Sequence, residues 1–126
     1  MTTGLDGRLI YRRLWDQERK PAPHNVVVEQ MLSQRRAVLF QHWRGEWVFD
    51  PLTLHHLLMA DSADGERRLT FVDRATAEQV ARSFGQELPS EAELLAMMER
   101  GAAEMYAHDD VMKRTPLPGD PGWPEA

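Results

Sequence analysis

Apolar residues recur along this chain with two different periods, and the change from one period to the other marks its elements. Alternation comes first. In Arg8–Trp15, Leu9, Tyr11 and Trp15 point to one side and Ile10 and Leu14 to the other, the pattern of a β-strand. In Ala37–Asp50, which holds two of the four Trp and two of the four Phe, aromatic and β-branched residues flank Arg44-Gly45. That composition predicts a β-hairpin. A two-residue loop sets Trp43 opposite Glu46, His42 opposite Trp47 and Phe40 opposite Phe49. Val38, Phe40, His42, Trp47 and Phe49 then form an apolar face, while Leu39, Gln41, Trp43, Glu46, Val48 and Asp50 form a mixed one. Arg-Gly is not among the strongest hairpin dipeptides, so a helix running from residue 25 to Trp43 is the alternative. Glu66–Asp73 alternates Leu69 and Phe71 against Arg68, Thr70 and Val72, a half-buried strand.

The helical period appears in four places. Asn25 can cap a helix over Val26–Arg35 with Val27, Val28, Met31 and Leu32 on one stripe, although three consecutive Val lose rotamer freedom in a helix. Asp50-Pro51 is an N-cap followed by Pro at the first helical position, opening a short helix over Leu52–Ala60. Asp73 can cap Arg74–Phe84, where Ala77, Val80, Ala81 and Phe84 line one face and Gly85 stops the helix. Ser90-Glu-Ala-Glu93 is a capping box that opens a last helix to about His108 or beyond. Its stripe is Leu94, Leu95, Met98, Ala102, Met105 and Met112. Gly101 inside it costs about 1 kcal/mol against Ala, which points to close packing against another backbone.

This order predicts an α+β fold: a small, mostly antiparallel sheet, with the βαββαβ order of ferredoxin-like folds in its first six elements, then two C-terminal helices. Residues 1–114 are expected to form one domain. Residues 115–126 are rich in Pro and Gly and form an extended tail that carries Trp123.

Composition narrows the class. The 126 residues are 42% hydrophobic and 28% charged, ordinary for a globular domain. With no cysteine there are no disulfides, thiolate ligands or cysteine nucleophiles, which suits a reducing cytoplasm. The N-terminal residues lack the pattern of a signal peptide, and no apolar run approaches the roughly 20 residues of a membrane span. Charge is uneven: residues 1–50 carry 8 basic and 6 acidic residues, and residues 51–126 carry 7 and 14. Arg12-Arg13, Arg35-Arg36 and Arg67-Arg68 come as pairs, suited either to an acidic partner or to solvated faces.

Chemistry is thinly marked. His42 on the apolar hairpin face, His55 and His56 on the short helix, and Asp61 beyond it are the candidate catalytic residues. Adjacent helix positions point about 100° apart, so His55 and His56 cannot hold one ion without help, and HExxH spacing is absent. Glu104 and His108, four apart, more readily form a surface pair than a di-iron motif. No GxSxG, Gly-rich phosphate loop or P-loop appears, so neither a metal nor a cofactor is expected. What is left is surface. Trp43 and Arg44 at the hairpin turn, Arg35, Arg36, Met97 beside the core stripe, and Trp123 in the tail are the candidate contacts with another protein or with a second copy. The expected function is therefore a small accessory or adaptor protein: a subunit, assembly factor or chaperone-like chain. An enzyme using His and carboxylate groups is the alternative. RNA binding ranks third, because net charge is −5 and the interleaved basic–aromatic pattern of RNA-binding sheets is missing.

Overall fold

The computed structural model describes residues 7–15, 25–32, 34–64 and 69–107. Its elements are β1 (Leu9–Leu14), β2 (Asn25–Gln30), β3 (Arg36–Gln41), β4 (Glu46–Phe49), α1 (Pro51–Asp64), β5 (Leu69–Val72), α2 (Arg74–Ser83) and α3 (Glu91–Ala107). The strands form one open sheet in the order β4-β3-β2-β1-β5 with every pair antiparallel. The first four are thus a meander, and α1 carries the chain from the β4 edge to the β5 edge. This is α+β, but it is not the ferredoxin-like order. The second element is a strand where the sequence suggested a helix over Val26–Arg35.

The reason lies in what covers β2. Val26 and Val28 face α2 and α3, while Val27 faces α1, and all three are fully buried. A strand covered on both faces has no polar side to display, so its alternation disappears into a continuous apolar run. β-branched side chains favour that pleated setting over a helix. Asn25, expected to cap a helix, instead begins this strand. Its side-chain amide donates to the Phe40 carbonyl (2.7 Å) and its oxygen accepts from the Phe40 amide (3.3 Å).

Two apolar clusters flank the sheet. On one face Tyr11, Val26, Val28 and Val38 pack against Ala77, Val80 and Ala81 of α2 and Leu94 and Met98 of α3, with Phe49, Trp47 and Phe84 at the margin. On the other, Val27, Ala37 and Leu39 pack against Leu54 of α1, with Val48, Leu58 and Leu69 beside them. α2 crosses β1 and β2, and α3 crosses β3 and β4. Gly101 marks the tightest approach: a Cβ there would lie 2.7 Å from the Phe49 Cβ and closer still to its ring. Close packing at Gly101 is real, but its partner is the Phe49 side chain and not the backbone that the sequence suggested.

Helix starts follow the expected caps. Asp50 accepts from the Thr53 amide (3.1 Å) and hydroxyl (2.6 Å), and Asp73 accepts from the Thr76 amide (2.8 Å). Ser90 accepts from the Glu93 amide (3.2 Å). Gly85 follows α2 with φ +80, the left-handed geometry of a helix stop. Arg74 ties β1 to the turn between α2 and α3, donating to the Tyr11 hydroxyl (2.8 Å) and the Pro89 carbonyl (2.9 Å). α1 runs to Asp64, four residues beyond its expected end. Among the described residues no helix is long and apolar enough to cross a membrane.

Candidate protein-binding surface

The β3–β4 hairpin forms as its composition requires, with a longer loop than expected. Phe40 pairs with Trp47, Gln41 with Glu46 and Val38 with Phe49, leaving four residues in the turn. The amides of Arg44 and Gly45 both donate to the Gln41 carbonyl (3.1 and 2.7 Å), and Gly45 takes φ +69. Relative to a two-residue loop the register moves by two positions. Because side chains alternate with period two, every strand residue keeps its face.

Below the turn lies an aromatic cluster. Phe40, only 4% exposed, contacts Trp47 (ring centroids 5.3 Å) and Phe84 (5.3 Å). The His42 ring meets Phe40 nearly edge-on (4.9 Å, 84°) and Phe84 at the same centroid distance. Phe84, at the C-terminal cap of α2, thereby joins hairpin and helix. Rings held by several neighbours in this manner have little freedom to reorient. The end of the hairpin is fixed to the body of the protein.

Above this base Trp43 projects into solvent, 82% exposed. The Arg44 guanidinium lies 5.7 Å from the centre of its ring and is held by an ion pair to Glu46 (2.7 Å). The tip therefore presents a large aromatic, a cation and a carboxylate on a short loop with a rigid base.

The other described contact candidates make contacts within the fold. Met97 is half-buried and packs against the core cluster on the α2–α3 side. Arg36 donates to Glu99 of α3 (3.1 Å) and joins sheet to helix. Arg35 is half-buried near Arg12. Arg12 pairs with Glu29 (2.8 Å), both nearly enclosed, and lies 4.9 Å from the centre of the Phe71 ring. Burial pulls the Arg12 pKa below its usual value; Glu29 opposes that shift and the nearby charge of Arg35 adds to it. Trp123 and His108 lie outside the described residues.

The histidines do not converge. His42 is on the α2 side of the sheet, against Phe84, whereas His55 and His56 are exposed on α1, which covers the opposite face. Asp61 falls in the last turn of α1, where only the backbone is described. Among the described residues no three His, Asp or Glu side chains stand close enough to share a metal ion.

Two features escaped the sequence reading. Phe71, expected on a half-buried strand, is 72% exposed, because β5 is an edge strand and α1 reaches only its Leu69. Phe84 was placed on the core face of α2, but nothing local showed that it would meet His42. The chain matches no family model, no curated protein and no solved structure.

Proposed function

We propose that this protein is a small accessory or adaptor chain that works through protein–protein contacts, with the β3–β4 hairpin tip as its contact surface. The observation that carries the reading is Trp43: a Trp this exposed adds nothing to the core, yet it stands on a loop whose base is locked by four rings. Trp and Arg are over-represented among the residues that dominate binding energy, and here the two adjoin. A preformed tip also lowers the ordering cost of association. The absence of cysteine suits work in the cytoplasm.

The test compares wild type with Trp43→Ala and Arg44→Ala in quantitative affinity capture from cells. Loss of the same specific interactor from both variants, with their thermal midpoints within a degree or two of wild type, is the expected result. Since surface changes usually alter stability by less than about 0.5 kcal/mol, a large midpoint drop in Trp43→Ala would assign the ring to the fold instead.

A further inference from the structure

α1 has two faces of different character. Pro51 and Leu54 are buried, and Leu58 packs beside Leu54 against the sheet. Leu52, His55, His56 and Met59 are exposed, Leu52 by 60% and Met59 by 61%. Their spacing is i, i+3, i+4, i+7, a single stripe along the helix. From Pro51 through Ala60 no residue carries a formal charge, on a chain whose net charge is −5.

We propose that this stripe is a contact between two copies of the chain, their α1 helices packed antiparallel about a two-fold axis. Its symmetry selects that occupant. The four residues are spaced evenly about a point between His55 and His56. A two-fold axis through that point, perpendicular to the helix pair, therefore sets Leu52 of one copy against Met59 of the other and each histidine against its own counterpart. Apolar meets apolar and imidazole meets imidazole, the self-complementarity that an isologous interface requires. A neutral imidazole offers one donor and one acceptor, so each histidine and its counterpart can satisfy each other across the axis. Charge agrees: two acidic copies repel, and they approach at least cost where formal charge is missing. One helix stripe buries less than the roughly 1,200–2,000 Å² of a standard stable interface, so the dimer is concentration-dependent. None of these residues belongs to the hairpin tip, and the two readings stand or fall separately.

Sedimentation velocity from about 10 μM to about 1 mM spans the range for so small a contact. The expected result is a mass rising toward two chains with concentration in wild type and in Trp43→Ala. The double variant Leu52→Glu/Met59→Glu should stay at one chain throughout, with wild-type circular dichroism. A wild-type protein that remains a single chain, or self-association undiminished in the double variant, would overturn the proposal. The chain's lack of cysteine supplies a second measurement that tolerates a poorly folded double variant. Under mild oxidation, His55→Cys and His56→Cys should each link to itself faster than a mixture of the two forms the mixed disulfide. Cross-linking no faster than that of Gln79→Cys, an exposed position on α2, would also refute the interface.

Discussion

Phe40 concentrates more of this structure in one side chain than any other residue described. It is almost fully buried, touches His42, Trp47 and Phe84, and offers its backbone amide and carbonyl to Asn25. Truncation to Ala removes a ring from three neighbours that cannot all collapse into the space. We expect Phe40→Ala to cost about 3–5 kcal/mol in urea unfolding, the usual range for a buried Phe. A loss under about 1 kcal/mol would mean that the cluster does not hold the hairpin to α2. Gly101 gives the opposite test. An Ala there gains about 1 kcal/mol of helix propensity, but its methyl would intrude on Phe49. Overpacking of this kind costs about 1–3 kcal/mol, so Gly101→Ala should be net destabilising by chemical denaturation. Phe49→Leu in the same chain should recover part of the loss. An Ala variant as stable as wild type would show that the ring moves aside without cost.

Among the elements, α2 shows most directly how a local signal becomes a titratable one. Hydrogen bonds from Thr76, its side chain first and its backbone amide second, hold the Asp73 carboxyl below the usual aspartate pKa. The folded value is the lower one. The cap's contribution is therefore fully present above the unfolded-chain pKa of about 3.9 and is lost as pH falls through the folded value. An NMR titration of the Asp73 carboxyl carbon should give a midpoint below that of an unstructured aspartate, and Thr76→Ala should raise it. A midpoint at or above the ordinary value would contradict the capping geometry. β2 teaches a different lesson at this scale. Its three Val satisfy a helical stripe and a doubly covered strand equally well by pattern. Burial on both faces decides, and burial is not a property of a ten-residue window.

The described residues form three layers, with α1 on one side of the sheet and α2 and α3 on the other. The fold also bears on nucleic acid. Several arginines are engaged within the fold: Arg12 with Glu29, Arg36 with Glu99, Arg44 with Glu46 and Arg74 with Tyr11. With a net charge of −5 as well, RNA binding measured by fluorescence anisotropy should be weak and should vanish by moderate salt, the behaviour of a few phosphate contacts. Sub-micromolar, sequence-dependent binding at about 150 mM salt would count against an adaptor that works by protein contacts alone.

Much of this architecture was legible along the chain because its causes are local. Asp50-Pro51, Asp73 and Ser90 carry their capping chemistry in the side chains themselves, so three helix starts could be read directly. Gly85 and the alternation of Leu9–Leu14 are local in the same sense. The faces of the hairpin survived even a wrong loop length, because a shift of two residues leaves parity unchanged. Elsewhere the deciding partners lie far off in sequence. β2 is a strand because α1, α2 and α3 cover it from both sides, and Met97 is half-buried because α3 packs across β3 and β4. Phe71 is exposed because β5 is the edge that α1 only partly reaches, and His42 is parted from His55 and His56 because the sheet stands between them. Of the candidate contact residues, Trp43 and Arg44 could be found from composition and turn position. That they stand on a rigid base depends on Phe84 meeting His42 across 42 positions of chain, a contact that only folding brings about.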